Sequence, residues 1–270
     1  MPLRIVTRGA KSGACNICGS EGLLTQDHTP PKGCVRPTAM ELQHVAGRLD
    51  AGNAIKTKAH DGVKYRTLCA RCNNALLGGR YDPLLIDFTK RVSDLLASDL
   101  VLPAIMTVPT KPALLMRAIW GHLAAVGVDR YAKGPRTEEW RDFFLGETLP
   151  VPAGTSFYYW IYPYRRQALV RDAGAIDSSR RGSANYWLMK FYPLAFAVWM
   201  PLNNYPLGYR DLVAYHNTAN PDDVVDVMVD LAPIPHELIL EAPTATQAIM
   251  FGRDSVVANS RVPLSRILKI

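Results

Sequence analysis

The chain has 270 residues and carries 31 Lys and Arg against 24 Asp and Glu, a formal charge of +7, with 48% hydrophobic and 20% charged positions. That balance is ordinary for a soluble globular protein and gives enough chain for a substantial core and two domains. The longest apolar run, Phe191 to Leu202, is broken by proline and falls short of the roughly 20 residues that cross a bilayer. Met1 to Gly13 carries basic residues without the apolar stretch of a secretory leader, so a reducing cytoplasm is the expected compartment.

The first informative stretch runs from Cys15 to Gly79. It holds Cys15-Asn16-Ile17-Cys18, then Asp27-His28-Thr29-Pro30-Pro31, then Cys69-Ala70-Arg71-Cys72-Asn73-Asn74. A two-residue spacer lets both sulfurs of a pair turn toward one ion, so two such pairs supply the four thiolates of a tetrahedral structural zinc site. A chain with only five cysteines is hard to read as a redox or disulfide protein when four of them fall in this pattern. A structural knuckle without chemistry is the alternative reading. Against it stand the adjacent carboxylate and imidazole of Asp27 and His28, and an Asn directly after the last cysteine.

This order of motifs resembles the HNH or ββα-metal endonucleases, in particular their zinc-containing members with two Cys-x-x-Cys pairs. The resemblance covers residues 12–80. It implies a zinc-stapled ββα-metal, treble-clef-like module in which Asp-His ends a hairpin strand and the Asn opens the following helix. Cys15, Cys18, Cys69 and Cys72 would hold the structural zinc. Asp27 and Asn73 would hold a catalytic Mg²⁺ or Mn²⁺, and His28 would be the general base. The residue types suit that chemistry: a neutral imidazole with an ordinary pKa of about 6.5 accepts a proton near pH 7. A hard cation keeps several waters and takes one or two protein oxygens, leaving room for a phosphate. Asn53, in a loop, is a candidate for orienting the base, though Ala51-Gly52-Asn53-Ala54 also reads as a turn. Asn74 and His60 are secondary candidates, and Arg80 stands where the family often has a lysine. Cys34 reads as a spare thiol and His44 as a solvated histidine.

The charge is unevenly placed. Residues 1–80 hold 12 Lys or Arg and 5 Asp or Glu, while the remaining 19 basic and 19 acidic residues cancel. Lys32, Arg36, Arg48, Lys56, Lys58, Lys64, Arg66, Arg71 and Arg80 together suggest a phosphate-backbone footprint. The same segment has no Trp or Phe and a single Tyr at position 65, so zinc is expected to supply much of its folding free energy.

A boundary is expected near Gly78-Gly79, where glycine would end a helix begun at Cys69. Beyond it Asp82-Pro83 reads as an N-cap and first helical turn, with Leu84, Leu85, Phe88, Val92, Leu95 and Leu96 at helical spacing. A second helix is predicted over Lys111 to Val126, with His122 a satisfied core histidine, and a third starting at Thr137. Strands follow at Ser156–Tyr162, Gln167–Arg171, Asn185–Lys190 and Tyr192–Met200, with others at Leu212–Tyr215, Val224–Leu231 and Ala248–Phe251. The aromatic run Phe157-Tyr158-Tyr159-Trp160 reads as core rather than a base-stacking platform.

The chain is therefore expected to be α+β: a nuclease module over residues 1–80 and an unrecognised α+β domain over 81–270, helices first and then a mostly antiparallel sheet. The expected activity is one-metal hydrolysis of DNA, leaving 5′-phosphate and 3′-hydroxyl ends as the resemblance implies. RNA as substrate, and an inactive nucleic-acid-binding or protein-interaction module, stand as alternatives. The second domain is left with recognition, oligomerisation or control by a signal or partner, the last by analogy with phage-defence effectors.

Overall fold

The computed structural model describes residues 9–44, 57–131, 135–203, 205–216, 220–231 and 239–262. Strands come first in the chain, not helices. β1 (Ser12–Ala14) and β2 (Glu21–Thr29) form a hairpin, and β2 also pairs antiparallel with β5 (Val63–Cys69) to give a three-stranded sheet. Between them lie β3 (Met40–His44) and β4 (Thr57–Ala59), which leave this sheet altogether: they pair with each other, and β3 also pairs with β13 (Gln247–Ser260).

A π-helical segment, Arg71–Tyr81, then runs without a break into α1 (Asp82–Leu96), so the helix stop expected at Gly78-Gly79 does not occur. Neither glycine adopts the left-handed conformation that ends a helix. Leu77 and Tyr81 are buried on either side of them, and the Tyr81 hydroxyl donates to the Phe144 carbonyl at 2.7 Å. The N-cap reading of Asp82 also fails: Asp82 is already helical, and its carboxylate is spent elsewhere.

Next come β6 (Ile105–Thr110), α2 (Pro112–Ala125) and α3 (Pro135–Leu145), so a strand interrupts the expected run of helices. The rest is mostly antiparallel sheet: β7 (Ser156–Ile161), β8 (Ala168–Asp177), β9 (Gly182–Phe191), β10 (Leu194–Pro201), β11 (Arg210–Asp211) and β12 (Val225–Asp230). Eight strands join in the order β11-β7-β10-β9-β8-β13-β3-β4, and β12 pairs separately with β6. Leu212–Tyr215, expected as a strand, is a 3-10 turn capped by Asp211.

Both faces of the large sheet are covered, which explains its apolar runs. In β7, Phe157, Tyr159 and Ile161 join the main core while Tyr158 and Trp160, with Tyr162 just beyond the strand, belong to a second cluster on the opposite face. All four residues of the Phe157–Trp160 run are buried. α2 is buried along its whole length and packs against β2 and β5 as well as α1, α3 and β9. Cys15, Ile17, Tyr65 and Leu68 share a single core with α2 and the sheet. The poverty of aromatic residues before position 80 is thus offset by apolar surface from later in the chain.

One turn in the sheet has a measurable electrostatic role. The Asp177 carboxylate, 1% exposed, accepts from Ser179 N and Oγ at 3.0 and 2.5 Å, Arg180 N at 3.2 Å, Gln247 Nε2 at 3.0 Å and the Tyr205 hydroxyl at 3.2 Å. These donors, Ser179 foremost, hold its pKa well below the usual carboxylate range. A depressed carboxyl pKa stabilises the fold above the unfolded value of about 4 and loses that contribution as pH falls through the folded value. Asp177→Asn is expected to cost about 1–3 kcal/mol in urea denaturation at pH 7. The gap to the parent should narrow steadily below about pH 4, as the unfolded chain's carboxylate takes up a proton that the folded one does not yet bind.

Candidate functional site

The four cysteines meet. Cys15 and Cys18 flank a tight turn in which Gly19 is left-handed, at a φ of 69°, and donates its N–H to the Cys15 carbonyl at 2.8 Å. Cys69 ends β5 and Cys72 lies in the first turn of the helical segment. The four sulfurs lie within 4.8 Å of one another, and Cys18 and Cys69 are 3.7 Å apart. A tetrahedron with zinc–sulfur bonds of about 2.3 Å has sulfur–sulfur edges of about 3.8 Å, whereas a disulfide needs about 2.05 Å. The spacing and the soft donor set fit a structural zinc ion. Crowding against one another's sulfurs, with burial, pushes the Cys15 and Cys72 thiols up. A dication at the centre reverses that preference and makes binding the event that discharges the protons. Cys34 stands apart, a half-buried thiol pushed up to about 12 by burial and accepting from Thr89.

The cluster joins the turn between β1 and β2 to the end of β5 and the start of the helical segment. The β2–β5 ladder slips by one residue between Thr25 and Gln26, a bulge that re-aims the side chains beyond it. Asn73 reaches across from the helical segment: its Nδ2 donates to Thr25 Oγ1 at 2.8 Å and to the Gln26 carbonyl at 3.0 Å. Both amide hydrogens are thereby used, and Asn73 Oδ1 has no partner among the described residues. Asp27 follows immediately, 6% exposed, its Oδ2 accepting from His122 Nδ1 at 2.9 Å and from the Thr29 hydroxyl at 3.4 Å. Asp27 Oδ1 has no partner among the described residues.

His28, next along the strand, lies on the other face and is half-buried. Its Nε2 is shielded from solvent and has no hydrogen-bond partner among the described residues. Burial, then the charges of Lys32 and Lys64, hold its pKa below the ordinary imidazole value, so it is neutral at pH 7. Asp27 and Asn73 thus lie by the bulge in β2, with the His28 side chain on the opposite face of the strand.

His122 was legible as a satisfied core histidine, but not as the residue that holds Asp27. Its Nε2 lies 2.8 Å from Asp82 Oδ1, so this α2 imidazole bridges two carboxylates, one on β2 and one on α1. Burial works against its charge, yet Asp27 and Asp82 outweigh it and push the pKa up to about 10. Both ring nitrogens then donate, and His122 is an imidazolium. The signal was a lone histidine on an otherwise apolar helix, together with an acidic residue opening the preceding one. Replacing His122 with leucine strands two carboxylates in a dry site and should cost about 3–5 kcal/mol, read as a lowered denaturation midpoint.

The other candidates are less engaged. His60 and Asn74 are exposed and make no hydrogen bond to the Asp27, His28 and Asn73 group. Asn53, Arg48 and Lys56 lie outside the described residues, as does the side chain of His44. Lys32, Arg36, Lys58, Arg71 and Arg80 are exposed, and Lys64 and Arg66 half-buried. Lys64 pairs with Asp61, and Arg80 faces Asp222 at 3.4 Å.

No family model, curated protein or solved structure matches the chain. No helix among the described residues is long and apolar enough to cross a membrane.

Proposed function

We propose that this protein is a metal-dependent endonuclease of the HNH kind, and that the antiparallel β2–β5 pair, the sulfur cluster and the following helix form its ββα-metal, treble-clef-like module. One observation carries the reading. A shielded His28 Nε2 without a partner among the described residues directly follows, in β2, a carboxylate with one uncommitted oxygen, and an amide with another is bonded to the same strand at Thr25 and Gln26. That donor set fits a hard divalent ion such as Mg²⁺ or Mn²⁺, which Asp27 Oδ1 and Asn73 Oδ1 would hold. Such an ion supplies polarisation of the phosphoryl oxygen and neutralises charge on the leaving oxygen.

The chain's own residues do the rest. His28 Nε2 takes a proton from the attacking water as its oxygen bonds to phosphorus. The P–O3′ bond breaks, and the released 3′ oxygen is protonated from solvent, leaving a 5′-phosphate. Asn73 is oriented by Thr25 and Gln26, and Asp27 by the imidazolium of His122, so neither is free to swing away. Exposed Lys32, Arg36 and Arg71 supply backbone attraction with no base reading. His122 and Asp82 place residues beyond position 80 in the site itself. The remainder of 81–270 is left for recognition, oligomerisation or control.

Supercoiled plasmid incubated with the zinc-loaded protein and Mg²⁺ or Mn²⁺ should be nicked or linearised. The rival, nucleic-acid binding without hydrolysis, draws on Asp27 Oδ2 being already engaged. It predicts salt-dependent retention of DNA with no nicking under any divalent ion.

A further inference from the structure

A second built cavity lies on the far side of α2. It has a volume of about 450 Å³, within the range of pockets that hold small ligands, and is lined by Trp120, Trp140, Trp187, Arg171, Asp172 and Asn16 among others. Trp120 and Trp140 are parallel within 1°, with ring centroids 5.1 Å apart, and Trp187 lies 6.3 Å from Trp120. Trp120 is only 4% exposed, yet its Nε1–H has no hydrogen-bond partner among the described residues. A buried donor left in that state costs about 1–3 kcal/mol, so the site lacks an acceptor.

The lining is also basic: three guanidinium groups, Arg130, Arg136 and Arg171, stand with the single carboxylate of Asp172, which pairs with Arg171 Nε at 3.3 Å and accepts from Trp187 Nε1 at 2.8 Å. Arg171 is 5% exposed, lies 4.6 Å over the Trp187 ring and is fixed by the Ala124 carbonyl at 2.7 Å and by that of Val126. Asp172 has a φ of 57° and sits where the β8 ladders slip against both β9 and β13. Left-handed backbone at a paired bulge is strain that persists where a site needs side chains aimed out of register.

We propose that this cavity binds a nucleotide: its base against the indole wall, a ring nitrogen or carbonyl accepting from Trp120 Nε1, and its phosphate on the guanidinium groups. Aromatic surface with arginine suits a π-face joined to a phosphate, and the volume suits a single unit. Either a free nucleotide or one unstacked unit of a bound strand has this chemistry. The proposal is independent of whether the β2 site cleaves phosphodiesters. The two sites are nonetheless joined, because Asn16 of the zinc knuckle lines the cavity and donates to Ala124 and Gly127 carbonyls at 3.1 and 2.7 Å. The same helix that sends Trp120 here sends His122 to Asp27.

Intrinsic tryptophan fluorescence of the full zinc-loaded chain, titrated with AMP, a short single strand or inorganic phosphate and no added divalent ion, tests this. Saturable quenching by AMP assigns the pocket to free nucleotide, and quenching by the strand alone assigns it to a strand. In either case Arg136→Ala, at an exposed position, and Trp187→Leu should each weaken binding about tenfold or more. No saturable response to AMP or strand, affinity unchanged in both variants, or equal affinity for phosphate alone would overturn the proposal.

Discussion

His28→Ala is expected to leave the folded protein intact while lowering single-turnover phosphodiester cleavage by about 10²- to 10⁴-fold, the usual worth of a general base. The two halves of that result come from one feature. His28 Nε2 has no hydrogen-bond partner among the described residues and the side chain is half-buried, so its removal breaks no bond in the fold. What is lost is a proton acceptor already neutral at pH 7, kept so by burial and by Lys32 and Lys64. Matching thermal denaturation curves beside collapsed cleavage would assign the residue to chemistry. Equal cleavage by variant and parent would remove it from the mechanism.

Zinc removal should have the larger structural effect. Structural zinc bound by cysteine contributes on the order of 10–16 kcal/mol in small zinc modules, comparable to or above the about 5–15 kcal/mol net stability of whole domains. The native chain is expected to carry one zinc by elemental analysis. A strong chelator, or Cys72→Ser, should strip hydrogen-exchange protection from β1, β2, β5 and the first turn of the helical segment. Cys72 is fully buried in the same core as Leu68 and Leu77, so the loss is not confined to an exposed loop. Metal content near zero with unchanged protection would refute the staple. Part of the module should outlast zinc loss, because Ile17 and Tyr65 also pack into the core shared with α2.

The local motifs were legible because their chemistry is written in short spacings. Two Cys-x-x-Cys pairs dictate a shared sulfur site, and the four sulfurs do meet. α2 was bounded to within a residue at each end by Pro112 and its apolar continuity, and β7 by its run of aromatics. What escaped depends on pairings between distant residues. β3 and β4 have no distinctive pattern, and β3 finds its partner more than two hundred positions later, in β13. Gly78 and Gly79 permit a helix end without compelling one, and burial of Leu77 and Tyr81 carries the helix through. β8 and β13 were each read too short, because the bulges at Asp172 and between Phe251 and Val256 hide the continuation of a strand. His122 exposes the same limit in the site: its type was visible on α2, but its two carboxylate partners lie 95 and 40 positions away.

That long-range contact also bears on the role proposed for Asp27. A carboxylate with one oxygen held by an imidazolium has a fixed orientation and one oxygen left, which is what a ligand to a mostly hydrated ion requires. The most direct test is an anomalous difference map from crystals of the zinc-loaded protein soaked in Mn²⁺. The account predicts a single manganese peak touching Asp27 Oδ1 and Asn73 Oδ1, with His28 Nε2 facing its open side. Manganese bound only elsewhere, with these two oxygens bare at saturating concentration, would contradict it.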